Sequence, residues 1–313
     1  MKDFLQKENQ LCSELFSKTK KDLYKLSKKL NIENVSIDFL RYTVIPLASF
    51  FGSFKKRRRP YFICLTGGQG SGKTTLSEFV QLILQKGCDR EVVGFSIDDI
   101  YKTKEERIHL SNTVHPLCKT RGVPGTHDVQ LGLDTLDSLF NANFSSLTPI
   151  PSFSKPLDKH IPKEDWSCYK GRPEFIFFDA WCGGARPISE ENWRPPMNIL
   201  EEEEDPEGIW SKWSNKELSG TYQELFNRFD LLLMIKVPSI KQVYESRWLQ
   251  EQTLAKSTFD PKLKKKIMTK EEVWRFVMHY ERLTRYMLEE MPTFADIVLK
   301  RDKNFNFSFI KIP

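Results

Sequence analysis

The chain contains the stretch Gly67-Gly68-Gln69-Gly70-Ser71-Gly72-Lys73-Thr74. It matches the pattern G-x-x-x-x-G-K-[ST], called the P-loop, which wraps around the phosphates of a nucleotide. An apolar run at residues 61–66 enters the loop, and residues 75–84 leave it with the apolar spacing of a helix. Because the motif requires strand, glycine loop and helix in this order, the context supports it. The alternative is a glycine turn that caps an ordinary helix.

Each part of this loop has a physical task in binding phosphate. Glycines lack a β-carbon, so backbone N–H groups can turn toward an anion, and the following helix adds partial positive charge at its start. We expect Lys73 to reach the β- and γ-phosphates and the Thr74 hydroxyl to coordinate Mg²⁺. The predicted nucleotide-binding residues are Gly67, Gly68, Gln69, Gly70, Ser71, Gly72, Lys73, Thr74 and Thr75.

The composition is that of a globular protein. The 313 residues are 39% hydrophobic and carry a formal net charge of +6, which suits an enzyme for anionic ligands better than a dedicated nucleic-acid binder. No run reaches the roughly 18 apolar residues of a membrane span, and the N-terminus lacks the apolar core of a signal peptide. The cysteines show no C-x-x-C spacing and no histidine partners, so we expect reduced thiols without zinc. We therefore expect a cytosolic protein that binds neither membranes nor nucleic acid.

Further apolar runs predict the remaining strands at residues 91–97, 173–179, 231–237 and 295–300. Together with the strand before the P-loop, they predict an α/β protein with the three-layer P-loop NTPase fold and a mostly parallel five-stranded sheet. Residues 305–312 have the pattern of a hairpin at the sheet edge.

Acidic residues follow two of these strands. Asp98 and Asp99 come after the second strand, and Asp179 ends the third strand in the pattern called Walker B. Since the carboxyl ends of parallel strands meet at one edge of a sheet, these carboxylates can act there as a base and as Mg²⁺ ligands. The alternative for Asp98 and Asp99 is the cap and first turn of a helix.

We expect two regions, an N-terminal helical extension at residues 1–58 and a P-loop domain at residues 59–313. The extension has leucines at helical spacing among lysines, which favours helices packed on the domain; a dimer contact or a membrane-surface helix is the alternative. The basic run at residues 55–59 is interpreted as a solvated linker, with nucleic-acid binding as the alternative. The acidic run at residues 201–205 is interpreted as a solvated insertion.

Three irregular segments carry polar groups. Residues 114–128 are predicted to form a loop that faces a substrate, although Asp128 alone can equally be the N-cap of the next helix. Residues 149–156 form a proline-rich connector that carries Lys155. Residues 255–267 are dense in lysine and have the composition of a mobile lid over phosphates, or of a solvated loop.

Several motifs together resemble the D-glycerate 3-kinase-like branch of the phosphoribulokinase, uridine kinase and pantothenate kinase group. The P-loop is joined by residues 96–101 (SIDDIY) and by residues 120–128 (TRGVPGTHD), of which the second is far more specific than the P-loop itself. The likeness extends over nearly all of the chain after Pro60. Its further motifs are WCGGARP at residues 181–187, RWLQE at residues 247–251 and HYERLTR at residues 279–285.

The resemblance implies roles for individual residues. Asp98 matches the acid that accepts the proton of the acceptor hydroxyl, and Arg247 matches the lid arginine that neutralises the transferred phosphoryl group. The residues implied to contact the acceptor substrate are Asp99, Tyr101, Arg121, His127, Asp128 and Lys155. The chain departs from the family pattern in two places: Asp179 stands where a glutamate is usual, and the lid is longer and more basic.

The resemblance also implies an activity. We expect Lys73, Asp98 and Arg247 to be the catalytic residues of an ATP-dependent kinase, with ATP and Mg²⁺ held by the P-loop, Thr74 and Asp179. The acceptor would be a small anionic molecule with a hydroxyl group, and D-glycerate is the first candidate. The alternatives are a nucleotide switch or ATPase that acts through a partner, and a kinase of the same fold for a nucleoside, pantothenate or a sugar phosphate.

Overall fold

The structure is a computed structural model that describes residues 10–32, 35–258, 260, 264 and 266–313. Its helices are α1 (Gln10–Lys29), α2 (Ile37–Phe39), α3 (Ile45–Gly52), α4 (Lys73–Lys86), α5 (Lys104–Thr113), α6 (Val129–Phe140), α7 (Ile199–Glu204), α8 (Ile209–Leu218), α9 (Thr221–Phe226), α10 (Ile240–Ser257) and α11 (Lys270–Phe294). Its strands are β1 (Tyr61–Thr66), β2 (Val92–Ser96), β3 (Leu147–Pro149), β4 (Phe153–Ser154), β5 (Lys159–His160), β6 (Cys168–Lys170), β7 (Phe175–Asp179), β8 (Leu231–Lys236), β9 (Ile297–Arg301) and β10 (Phe307–Lys311).

The main sheet has six strands in the order β10-β9-β8-β1-β7-β2. The pairs from β9 to β2 are parallel, and β10 joins the edge antiparallel to β9. The predicted α/β fold with a mostly parallel sheet is confirmed, and the edge hairpin supplies the sixth strand. Because β1, β2 and β7 run parallel and are neighbours, their carboxyl ends bring the P-loop, Asp98 and Asp179 to one edge.

The sheet separates two hydrophobic clusters. On one face, α6, α9 and α11 pack against residues such as Phe62 and Phe178. On the other face, the N-terminal helices and α4 pack against Ile63, and both Leu23 and Val44 are fully buried there. Burial of one such side chain contributes about 1.5–3 kcal/mol. The described part of the N-terminal segment thus shares a core with the sheet, which favours packing on the domain over the alternative roles.

Among the described residues, no helix combines the length and apolar character that crossing a membrane requires.

The basic run before β1 is tied to the rim of the sheet opposite the P-loop. Arg57 pairs with Asp230 at 2.5 Å, and its guanidinium lies 3.7 Å from the centre of the Tyr61 ring. Arg59 pairs with the same carboxylate at 3.2 Å, and Asp230 also accepts a hydrogen bond from the Phe62 N–H at 2.8 Å. The residues of the run are exposed, as the interpretation as a solvated linker predicts, and the run also anchors the start of β1.

Replacing Asp230 with alanine is expected to lower the free energy of unfolding by about 2 kcal/mol, because two guanidinium groups and one backbone N–H lose a charged acceptor. Urea unfolding of the purified variant measures the change. The matched control is Arg58→Ala in the same run, an exposed residue for which we expect a change below about 0.5 kcal/mol. Equal stabilities of the Asp230 and Arg58 variants would contradict the anchoring role.

The acidic run at residues 201–205 is solvated only in its middle: residues 202–204 are exposed, as the interpretation as a solvated insertion predicts, but the two end residues are buried. Glu201 is buried and forms two hydrogen bonds with the Arg282 guanidinium, at 2.9 and 2.5 Å. Asp205 is also buried, and its two oxygens accept hydrogen bonds from the backbone N–H groups of Trp210 and Ser211 at the start of α8. A charge run in sequence does not show which side chains turn inward to partners far along the chain.

Candidate active site

The P-loop has the backbone geometry that wrapping around an anion requires. Gly67, Gly70 and Gly72 have φ values of 144°, 69° and 97°, a region that favours glycine. A β-carbon on Gly67 would lie 2.6 Å from the Ile235 carbonyl oxygen, so a larger residue cannot fit there. Lys73 begins α4, is largely buried, and its ammonium donates to the Gly68 carbonyl at 3.2 Å. The ammonium is thereby held at the mouth of the loop.

The loop opens into a cavity of about 1320 Å³. This volume exceeds the range of about 300–1,000 Å³ that is usual for ligand sites, so it has room for a nucleotide and a second small molecule. Eleven of the predicted site residues line it: Gln69, Gly70, Lys73, Thr74, Asp98, Asp99, Tyr101, Arg121, Lys155, Asp179 and Arg247. The structure therefore brings the proposed nucleotide and acceptor residues to a single site.

Thr74 and Asp179, the two predicted Mg²⁺ ligands, contact each other in the lining of this cavity. The Thr74 hydroxyl donates to the Asp179 carboxylate at 2.5 Å, and burial raises the pKa of Asp179. A hydroxyl and a carboxylate beside a phosphate loop fit Mg²⁺, which takes one or two protein oxygens and completes its shell with water and phosphate. Among the described residues, no three His, Cys, Asp or Glu side chains cluster in a way that could hold a metal ion.

Asp98 lies after β2 with both carboxylate oxygens engaged. One oxygen pairs with the Lys155 ammonium at 2.5 Å, and the other accepts a hydrogen bond from the Tyr101 hydroxyl. Burial alone would raise the pKa of Asp98, but Lys155 and Tyr101 hold it at about 2. Asp98 is thus ionised at neutral pH and able to accept a hydrogen bond from an incoming hydroxyl group.

Asp99 has a different local role. Its carboxylate accepts a hydrogen bond from the Ser96 backbone N–H at 2.9 Å and completes a capping box at the short 3₁₀ turn of residues 97–99. Burial raises the pKa of Asp99 to about 6. Ser96 is the N-cap of this turn and Asp99 is its acidic partner in the first turn, whereas the side chain of Asp98 turns to Lys155.

Arg121 is fixed by a residue that the sequence did not single out. Asp158 accepts hydrogen bonds on one oxygen from both Arg121 and Arg107, each at 2.7 Å. The Arg107 side chain is almost fully buried and also donates to the carbonyl groups of Lys102 and Lys119. Asp158 and Arg107 also line the cavity. No local pattern marks either residue, because the contact joins a helix to a distant hairpin turn.

His127 and Asp128 do not line the cavity, although the resemblance implied contact with the acceptor. His127 is buried behind Tyr101, with the two rings stacked at 4.9 Å, and its Nδ1 lies 2.7 Å from the Tyr222 hydroxyl. Asp128 is the N-cap of α6 and accepts a hydrogen bond from the Leu131 N–H at 3.0 Å. His127 therefore supports Tyr101, and Tyr101 in turn contacts Asp98.

Acidification is expected to destabilise the protein through His127. Burial lowers its pKa from 6.5 to about 3, so between these values the unfolded chain binds a proton that the folded chain does not. Stability then rises with pH over this window, by up to about 1.4 kcal/mol per pH unit, and is lost as pH falls below 6.5. Urea unfolding at several pH values should show a shallower pH slope for His127→Phe than for the exposed control His109→Gln; identical slopes would contradict this expectation.

Arg247 reaches the cavity from α10 in an ion pair. Its guanidinium lies 2.6 Å from the Glu251 carboxylate, and the other oxygen of Glu251 accepts the Met268 N–H at 2.8 Å. This contact links α10 to the end of the predicted lid. Within that lid, residues 259, 261–263 and 265 lie outside the described residues.

Three curated proteins are similar in sequence. "Uncharacterized kinase mug58" of Schizosaccharomyces pombe is 29% identical over 235 residues, which cover 72% of this chain and 80% of the relative. "Probable ATP-dependent kinase TDA10" of Saccharomyces cerevisiae is 28% identical, covering 79% and 86%. "D-glycerate 3-kinase, chloroplastic" of Arabidopsis thaliana is 27% identical, covering 63% of this chain and 41% of that longer protein. No family model matches the chain.

Two solved structures share the fold. The YGR205w protein superimposes with a TM-score of 0.63 at 24% identity, covering 92% of this chain and 96% of the other. D-glycerate 3-kinase from Cryptococcus neoformans gives a TM-score of 0.62 at 21% identity, covering 84% and 95%. Both likenesses show the fold of the chain, which carries the phosphate loop. The sequence similarities confirm, more particularly, the resemblance to the D-glycerate 3-kinase-like P-loop kinases.

Proposed function

We propose that the chain is an ATP-dependent kinase that transfers the γ-phosphoryl group to a hydroxyl of a small anionic acceptor, with D-glycerate as the first candidate. One observation carries the proposal: the P-loop lysine and a carboxylate suited to orient a hydroxyl, Asp98, line the same cavity as Arg121 and Lys155. A nucleotide switch needs no such acceptor side. The relative from Arabidopsis, whose name states this activity, supports the same choice.

The proposed step is an in-line displacement. The acceptor oxygen forms a bond to the γ-phosphorus while the bond from that phosphorus to the bridging oxygen of ADP breaks. Asp98 accepts the proton of the acceptor hydroxyl, and ADP leaves with the bridging oxygen. Such transfers depend on positioning and charge neutralisation, which Lys73 supplies at the β- and γ-phosphates and Arg247 at the transferred group.

Arg247 keeps free donors for this role. One nitrogen of its guanidinium lies 2.6 Å from the Glu251 carboxylate, and the group carries five N–H donors in all. Thr74 and Asp179 would hold Mg²⁺, which supplies neutralisation of the phosphate charge when bound. Both side chains stand beside the loop, where phosphate oxygens would complete the ion's shell.

The charges of the cavity support an anionic acceptor. Lys155 contacts Asp98, Arg121 lines the same cavity, and Arg107 pairs with Asp158, the aspartate that also binds Arg121. A carboxylate or a phosphate would find cationic donors there beside the group that orients its hydroxyl. Neutral acceptors would gain nothing from them.

The test is ADP release by the purified protein with MgATP and, in parallel, D-glycerate, uridine, pantothenate, ribulose 5-phosphate or no acceptor. We expect turnover with D-glycerate to exceed the acceptor-free rate, and phosphoglycerate to appear in equal amount to ADP. Turnover with another acceptor of the panel would support the kinase activity but show that D-glycerate is not the substrate. Equal slow release under every condition would overturn the proposal in favour of a switch or ATPase.

A further inference from the structure

The contact between Lys155 and Asp98 has a consequence for substrate choice. Asp98 is the carboxylate proposed to receive the acceptor proton, and the Lys155 ammonium lies 2.5 Å from one of its oxygens. The Tyr101 hydroxyl occupies the other oxygen. A carboxylate in contact with a cation is a weaker base than a free one, because the cation stabilises its ionised form. In this arrangement Asp98 is restrained before any acceptor arrives.

The backbone around Lys155 is held in place. The Lys155 carbonyl accepts a hydrogen bond from Arg121 at 3.3 Å, and the adjacent Pro156 carbonyl accepts one from Lys266. Asp158 closes the same turn and is bound by Arg107 and Arg121. These contacts hold the turn between β4 and β5 and with it the backbone of Lys155.

The side chain itself is free to exchange its partner. The fractional exposure of the Lys155 side chain is 56%, against 28% for Asp98. A lysine ammonium has three donors and sits at the end of a flexible four-carbon stem. The nearby Arg121 is less available, because Asp158 already binds its guanidinium. Of the two cations, Lys155 is therefore the one that can more easily leave its present partner and bind an incoming anion.

We propose that Lys155 makes an anionic group on the acceptor a requirement: the acceptor's anion takes over the Lys155 ammonium, and only then is Asp98 released to accept the hydroxyl proton. This inference rests on the proposed function. Lys155 is on this account a specificity-determining residue, and it also suppresses transfer to water while the acceptor side is empty. Water carries no anion to recruit the ammonium, so it leaves Asp98 restrained.

The test compares D-glycerate with glycerol, which keeps the hydroxyl groups and lacks the carboxylate, and both with no acceptor. The variants are Lys155→Ala and Lys155→Met, of which the second keeps the length of the stem and removes only the charge. The control is Lys159→Ala, an exposed lysine of the same hairpin. ADP release and phosphorylated product are measured at saturating MgATP, and thermal unfolding confirms that each variant is folded.

We expect the preference for D-glycerate over glycerol, as the ratio of kcat/KM values, to fall by about 100-fold in both Lys155 variants, the scale of losing one hydrogen bond between charged groups. Acceptor-free ADP release should rise several-fold, which a merely structural role would not produce. Lys159→Ala should keep the wild-type ratio. An unchanged ratio in Lys155→Met, or an equal fall with every acceptor and with none, would overturn the inference.

The acceptor-free arm separates this inference from the proposed function. If the wild-type protein does not phosphorylate D-glycerate at all, the proposed substrate fails. The restraint on Asp98 is then tested by the acceptor-free rate of ADP release alone. A higher rate in both Lys155 variants than in the wild-type protein supports the restraint, and an unchanged rate overturns it.

Discussion

Lys73→Ala is expected to lower turnover by about 10³-fold or more without unfolding the protein. The ammonium of Lys73 lies at the mouth of the P-loop, 3.2 Å from the Gly68 carbonyl, where the β- and γ-phosphates bind in this motif. Its charge would neutralise the charge of the transferred group, and alanine leaves that charge uncompensated in a partly enclosed site. Steady-state ADP release with the best acceptor of the panel measures the effect.

Lys86→Ala is the matched control, since Lys86 is exposed at the opposite end of the same helix. It should keep wild-type turnover. Unfolding curves of the two variants should differ little, because alanine is a good helix former at both positions. A Lys73→Ala protein with wild-type turnover would contradict the assignment of the P-loop as the phosphate site.

Asp98→Asn is expected to lower turnover by about 10²–10⁴-fold, the usual contribution of a positioned general base. Asparagine has nearly the same shape and can still accept the hydrogen bond from Tyr101, but its amide cannot take up the acceptor proton. Binding of nucleotide should change little, because the P-loop is untouched. Single-turnover phosphoryl transfer at saturating MgATP isolates the chemical step from binding.

Asp134→Asn on α6 is the control for this substitution, because Asp134 is exposed and its side chain accepts a local hydrogen bond from Gln130. We expect it to leave turnover unchanged. If Asp98→Asn raised KM for the acceptor and left kcat intact, Asp98 would bind the acceptor without serving as its base, and the proposed mechanism would need another proton acceptor.

The sequence predicted the parts of the site that depend on local spacing. The P-loop, the acid after β2 and the acid that ends β7 are each fixed within a few residues of a strand end. Parallel neighbouring strands then place Lys73, Asp98 and Asp179 at the same edge without further information. The same reasoning predicted the mostly parallel sheet, because each strand is an apolar run of its own.

Other features depend on contacts between distant parts of the chain. His127 belongs to the most specific motif of the sequence, yet its burial behind Tyr101 follows from the bridge between the two segments. The basic and acidic runs were both interpreted as solvated, and most of their residues are exposed, but a charge pattern does not show the partners that some of their side chains meet. Asp230 and Arg282 supply those partners from far along the chain.

By itself the sequence determined the position of the phosphate loop and of the carboxylates that stand near it, because backbone motifs and strand periodicity are encoded over short distances. The tertiary structure alone decided the state of those groups. Lys155 reaches Asp98, and Asp158 holds Arg121, only once the β4–β5 turn has folded over the end of β2. Side-chain pairing in a cavity depends on the distances between elements, which no single stretch of sequence contains.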